Sequence, residues 1–332
     1  MHVLMVSRAR SIAHKDLERA WGKIDLIEIK NPKTFCKALL HSLLSRTHYD
    51  LVIAQEPLST IGGLAYIISL TKNIPLISEI HGDYIDENIL KLRDRIMLPI
   101  VLRRSILIRA VNRHIAAKIK KYTASRIVYI PSIYIDLNKF SPRMRIEDRE
   151  PMILFVGRME SQKNPDILVK AMKIVVKNMP DAYLKIIGRG PMAKYLGSLV
   201  SRLDLEKYVE IKYSWISHEE LAEEYNRASL FACVSSYEGG PRTVFEAAAC
   251  MTPSVSTPVG LIPEVFKHLE SVYMIPKPTP ESVAESIIAM LEDDALRKKI
   301  AENAYRITVR EFEWRKTVDR YAKCYLELLR AR

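Results

Sequence analysis

LFACVSSYEGGPRTVFEAAAC, residues 230–250, decides how the chain folds. Its five leading apolar residues have the length of a buried strand, and RTVFEAAAC has the spacing of a helix. Between them lie a polar loop and Gly239-Gly240-Pro241, with the proline suited to a first helical turn. A strand that passes through a glycine turn into a helix is the repeating unit of α/β proteins. Glycines there let a ligand approach the backbone, and a helix start favours an anion. Glu238 stands at the rim of this turn, and Glu246 about one and a half turns into the helix. A carboxylate accepts two hydrogen bonds at once, which suits a vicinal diol. Taken alone, the pair is more simply two solvated glutamates beside an ordinary turn.

The same unit recurs in both directions. Strand-like runs occur at 2–6, 25–29, 51–54, 74–80, 113–117 and 126–130, with helical patterns at about 34–46, 59–72, 88–111 and 117–122. After the polar, proline-bounded SPRMRIEDREP (141–151) the pattern restarts, with strands at 152–156, 183–187, 209–213 and 230–234. This alternation predicts an α/β fold of two doubly wound, mostly parallel sheets with ligands beyond the carboxyl ends of the strands. The break between domains is expected near residue 148. A final helix, about 311–330, is long enough to reach back over the first domain.

A chain of 332 residues accommodates two such domains. No apolar run approaches the ~18–20 residues that span a bilayer, and the opening MHVLMVSRAR is too short for a secretory core. The four cysteines, Cys36, Cys233, Cys250 and Cys324, have no metal or redox spacing. Buried thiols in a reducing cytoplasm are expected. Net charge is +12, and it is unevenly spread. Residues 1–148 hold 24 Lys and Arg against 14 Asp and Glu, whereas the remainder holds 27 against 25. Lys91 to Arg126 has eleven basic residues and one acid, Asp94. Such a field attracts anions. Aliphatic residues from Ile96 to Val111 interleave with it, as on a basic amphipathic surface that docks on anionic membrane. The simpler reading is a domain helix buried on one side. A nucleic-acid-binding module is disfavoured, because the stretch has few aromatics for base stacking and no recognition motif.

Two more strand ends carry similar chemistry. FVGRMESQKNP (155–165) sets Gly157, Arg158 and Lys163 after the second domain's first strand, where two cations would neutralise a diphosphate. IIGRGP (186–191) adds a glycine turn after the next strand. Each alone reads as a plain loop. Three consecutive strand ends with anion or diol chemistry are harder to ascribe to chance.

GRMESQKNP, IIGRGP and SSYEGGPRTVFEAAACMTPSVSTPVGLIPEV together resemble the retaining glycosyltransferases of the GT-B fold, family 4 type (group 1). HVLMVS, SEIHGDY, YIPSIYIDLNKFSP and PESVAESIIAMLEDDALRKKIAENA extend the resemblance over nearly the whole chain. It implies a Rossmann-like acceptor-side domain at 1–147, a Rossmann-like nucleotide-sugar domain at 148–310, a cleft between them, and a C-terminal helix at 311–332. Glu246 would hold the ribose hydroxyls. Glu238, with the amides of Gly239 and Gly240, would hold the transferred sugar. Arg158 and Lys163 would stabilise the departing diphosphate, and His81 would face the sugar or acceptor. Gly157, Gly188, Arg189, Trp215, Ile216, Pro241 and Thr243 would complete the donor pocket, the base lying near 214–216. The resemblance implies a nucleotide-diphospho-sugar donor, a glycan or lipid-linked acceptor, no metal and no cofactor. No Asp-x-Asp motif is present.

Three departures stand out. The first strand runs into SRARSIAHKD instead of a Gly-Gly loop, Ser132-Ile133 replaces Asn-Gly, and Met251 stands where glycine is common. Arg8 and Arg10 of the altered Ser7–Ala13 loop would meet phosphate from the acceptor side, or the loop is simply shortened. A catalytically silent relative and a sugar-nucleotide epimerase are the alternative readings.

Overall fold

The computed structural model describes residues 1–7, 14–82, 85 and 90–330. Arg8, Arg10 and most of the altered first loop lie outside the described residues. The chain divides into two compact units, one of residues 1–132 with 315–332 and the other of 133–314.

The first unit alternates β1 (His2–Ser7), α1 (His14–Trp21), β2 (Lys23–Glu28), α2 (Pro32–Leu44), β3 (Leu51–Gln55), α3 (Ser59–Thr71), β4 (Leu76–Ile80), α4 (Leu92–Arg104), β5 (Leu107–Ala110), α5 (Arg113–Ile119) and β6 (Arg126–Tyr129). The strands pair in parallel in the order β2-β1-β3-β4-β5-β6. Helices on both faces bury β4 and β5 along their whole length, so these strands read as apolar runs rather than alternating ones.

The second unit contains β7 (Glu150–Val156), α6 (Pro165–Asn178), β8 (Tyr183–Ile187), α7 (Ala193–Arg202), β9 (Val209–Lys212), α8 (His218–Arg227), β10 (Ala228–Cys233), α9 (Arg242–Ala249), β11 (Ser254–Ser256), α10 (Ile262–Val265), β12 (Tyr273–Met274), α11 (Pro280–Glu292) and α12 (Asp294–Glu311). Its parallel order is β12-β11-β10-β7-β8-β9. The sheet switches direction between β7 and β10, the place where doubly wound folds leave a crevice. Ile153, Phe155, Leu184, Ile186, Leu230 and Ala232 pack there against Leu168 and Met172 of α6. A last helix, α13 (Trp314–Arg330), begins in this unit and belongs to the first from Arg315 onward.

The expected α/β class and paired doubly wound sheets are found. Three local expectations are corrected. Residues 88–111 are not one helix: α4 runs through Pro99 and ends at Arg104, and β5 follows. Ile106 to Val111 therefore lie largely within the core, Arg109 among them. Residues 113–117 form α5 instead of a strand, because Asn112 Oδ1 accepts the Ile115 amide at 2.7 Å and caps a helix. The units divide at Ser132/Ile133, earlier than the break expected near residue 148. The intervening segment is bound to the second unit, where the Arg143 amide donates to Asn226 Oδ1 and Asn226 Nδ2 to the Ser141 carbonyl. Among the described residues no helix is long and apolar enough to cross a membrane.

Candidate functional site

At the switch point of the second unit the loops after β7 and β10 start side by side, and backbone and side chain stitch them together. The Ser236 amide donates to the Gln162 carbonyl at 2.8 Å. Asn164 Nδ2 donates to both the Val234 carbonyl and Ser236 Oγ, each at 2.8 Å. Asn164 itself takes the left-handed conformation, φ 50°, which asparagine tolerates better than most residues. Pro165 then opens α6. This places the Lys163 ammonium in an ion pair with Glu238 Oε1, which also accepts from Ser235 Oγ at 2.9 Å. Both partners of the ion pair are mostly buried. Arg158, by contrast, is exposed and turns to Glu160 at 2.9 Å.

The loop after β8 joins them at backbone distance. Gly188 has φ 154°, and a Cβ on it would sit 1.9 Å from the Gly157 carbonyl oxygen. The Met159 amide donates to the Arg189 carbonyl at 2.8 Å, and Arg189 points its side chain toward solvent. Only glycine permits this approach. On the far side Gly260, φ 54°, lies under the Glu238-Gly239 backbone, where a Cβ would be 2.6 Å from the Glu238 oxygen. Gly239 is buried and Gly240 half-buried, Pro241 caps α9, and Thr243 is half-buried in its first turn.

Glu246 is not the open group that its spacing suggests. It is 4% exposed, with Tyr225 Oη donating to Oε2 at 3.2 Å and Arg242 Nε 2.9 Å from Oε1. Burial pushes its carboxyl up, and the charge of Arg242 and the Tyr225 hydrogen bond oppose that rise. Trp215 is exposed and Ile216 half-buried in the loop after the edge strand β9, just before Ser217 caps α8. The second unit thus gathers Gly157, Lys163, Gly188, Glu238 and Gly239 around one switch point, with Glu246 farther along α9. Arg158, Arg189 and Trp215 are exposed.

In the first unit, His81 follows β4 and is held at three points. Its amide donates to Glu56 Oε1 at 3.2 Å, Nε2 lies 3.1 Å from Glu79 Oε2, and Nδ1 lies 2.9 Å from Ser132 Oγ. Reasoning from sequence assigned no role to Glu79, Arg109, Ser132, Ser235, Tyr225 or the stitching residues Gln162 and Asn164. A signal existed for two of them. A glutamate inside LISEI and an arginine inside LIRA are charges in otherwise apolar strands, and buried charges come with partners. Among the described residues no cluster of three or more His, Cys, Asp and Glu has the geometry of a metal site.

Comparison with known proteins identifies the family. Residues 137–307, a little over half of the chain, match the family described as Glycosyl transferases group 1. An uncharacterized glycosyltransferase of Methanocaldococcus jannaschii is 31% identical over 195 residues, 57% of this chain and 49% of the relative. A D-inositol 3-phosphate glycosyltransferase of Kineococcus radiotolerans is 26% identical over 330 residues, covering 88% of this chain and 75% of that one. The chain spans about half the length of the first curated relatives it matches. The crystal structure of Anabaena HepE in complex with UDP and glucose superposes with a TM-score of 0.82 at 16% identity, over 98% of this chain and 100% of that one. That likeness bears on the fold.

Proposed function

The chain belongs to the group 1 glycosyltransferases, and from that premise we propose that it moves a sugar from a nucleotide-diphospho-sugar to an acceptor hydroxyl with retention of configuration. The observation that carries this reading is the Lys163–Glu238 pair set between the β7 and β10 loops at the switch point. Lys163, with Arg158 swung in from the margin, neutralises the diphosphate as its bond to the sugar carbon breaks, the electrostatic contribution that usually dominates. The acceptor oxygen bonds to that carbon from the same face, and the acceptor proton passes to the departing phosphate oxygen. Glu238 is released from Lys163 to hold the sugar hydroxyls. Glu246 takes the ribose diol once Arg242 gives way; the two form an i, i+4 helix pair, and the diol hydroxyls replace the partner that the buried carboxylate gives up. Two side-chain cations make a resident metal unnecessary, and no organic cofactor enters the scheme.

A thermal-shift screen against UDP, GDP, ADP, dTDP and their sugar conjugates tests the reading. A ligand at ~100 times its dissociation constant adds about 2.7 kcal/mol. Glu246→Gln is expected to weaken that nucleotide roughly 10–100-fold, the worth of hydrogen bonds to a charged group. No shift from any nucleotide would overturn the reading.

We place the acceptor at an anionic lipid surface. Leu92, Ile96 and Ile100 are 75%, 58% and 39% exposed along one stripe of α4, while Leu98 and Val101 face the core. Lys91, Arg93, Arg95 and Arg103 are exposed around that stripe. Apolar side chains ringed by cations suit a bilayer rich in acidic headgroups. The chain is expected to float with phosphatidylglycerol vesicles at low salt, and a Leu92→Ser, Ile96→Ser, Ile100→Ser variant to remain in the lower fraction. Equal behaviour of the two proteins would remove this part of the reading.

A further inference from the structure

Glu79 is wholly buried in β4, and its surroundings are one-sided. Tyr321 and Tyr325 of α13 both donate to Oε1, the second at 2.8 Å. Gln55 Nε2 donates to Oε2 at 3.1 Å, and Arg109 Nη1 lies 3.6 Å away. Burial by itself would raise this carboxyl, but Arg109, His81 and Tyr321 outweigh it and hold it well below the ordinary carboxylate range. An ionised carboxylate has only lone pairs to offer. The remaining contact, His81 Nε2 at 3.1 Å, must therefore carry a proton. In a neutral ring the other nitrogen is then a bare acceptor. The surroundings of Nδ1 agree. Ser132 Oγ, 2.9 Å from it, accepts from Arg109 Nη2 at 2.9 Å, so its own hydroxyl proton is free to point at the ring. Arg109 is fixed in turn by the Ile130 and Pro131 carbonyls and by the Tyr321 ring, 4.1 Å below its guanidinium.

We propose that Glu79, clamped by Tyr321 and Tyr325, is the positioning residue that locks His81 in its Nε2–H form and leaves Nδ1 as the acceptor for a substrate hydroxyl, with Ser132 holding that place in the free protein. This rests on the assignment of His81 to the sugar or acceptor. It gives α13 a part in the chemistry without contact to substrate. A substrate hydroxyl meets His81 as a donor, and a ring in the opposite tautomer would present a proton to it instead.

Two measurements on the full chain test the proposal. The first is ¹⁵N NMR of the labelled imidazoles, with His81 assigned by its loss in His81→Ala. The parent ring is expected to be protonated at Nε2 only, and Glu79→Gln, whose amide presents a donor as well as an acceptor, to mix the two tautomers. An Nδ1–H ring in the parent overturns the proposal. The second is turnover of UDP-glucose, GDP-mannose and ADP-glucose by Glu79→Gln, His81→Ala and the double variant. Glu79→Gln is expected to lower kcat roughly 10–100-fold, as the loss of a carboxylate behind a working histidine does elsewhere, with little change in the donor KM. A residue that acts only through His81 costs nothing further once the histidine is gone. The double variant should thus match His81→Ala, and multiplying effects would overturn the proposal. Failure of the parent to turn over any donor would count against the transferase reading itself, and the ring spectrum would still decide the tautomer.

Discussion

Lys163→Met is expected to lower kcat by roughly 10²–10³-fold, the range seen when one preorganised charge is removed from a developing anion. The ammonium is mostly buried and paired with Glu238, so it works in a medium of lower dielectric than water. Its backbone is fixed by the stitched β7 loop, and little reorganisation is needed at the moment of reaction. Arg158→Met is expected to cost less, because that guanidinium is exposed and must leave Glu160 before it acts. Lys163→Arg is not expected to restore the rate, since a planar fork does not fit the place of a compact point charge. Steady-state kinetics with the donor identified by thermal shift would measure each effect. Retention of most of the parental kcat by Lys163→Met would show that the cation at this position does not meet the diphosphate.

The second large effect is on stability. Arg109→Leu removes the nearest cation from a fully buried carboxylate, and breaking such a pair from one side typically costs about 3–5 kcal/mol. It also weakens a pH dependence. In the parent, the Glu79 carboxyl is held below its unfolded value, so its contribution is fully present above the ordinary carboxylate range and is lost as pH falls through it toward the depressed folded value. Without Arg109 the largest influence that lowers the folded value is lost, so the Glu79 contribution shrinks and its dependence on pH flattens. Urea unfolding at pH 3 and pH 7, followed by Trp21 fluorescence in a Trp215→Phe, Trp314→Phe background, would detect this. Trp21 stacks on Tyr325 at 5.4 Å within the first unit and reports on it directly. Equal stability of parent and Arg109→Leu at pH 7 would contradict the account.

The candidate site was legible where its chemistry is local. A strand, a glycine and a helix start within ten residues identify the β7, β8 and β10 loops, because that sequence of residue types has few other uses. Exposure was not legible. The Glu238 and Glu246 spacing locates both carboxylates but does not reveal that Tyr225 and Arg242 already occupy the second. Arg242 was within reach of reasoning, since it stands four residues before Glu246 on one helix. The pairing of Lys163 with Glu238 spans 75 residues and that of Tyr321 with Glu79 spans 242, distances over which no periodicity carries information. At 113–117 the short apolar run outweighed the capping signal of Asn112, and the capping signal described the physics correctly.

The return of α13 to the first unit also sets an order in time. Tyr321 follows Glu79 by 242 residues, and a ribosome adding ~5–20 residues per second needs roughly 12–50 s to cover that span. Throughout that interval the nascent first sheet holds a carboxyl group without its two phenols, and Trp21 without the rings that cover it. The second unit has no such dependence, being the single continuous stretch Ile133–Trp314. A chain emerging from the ribosome therefore completes its second unit before its first, in reverse of the order in which the two begin.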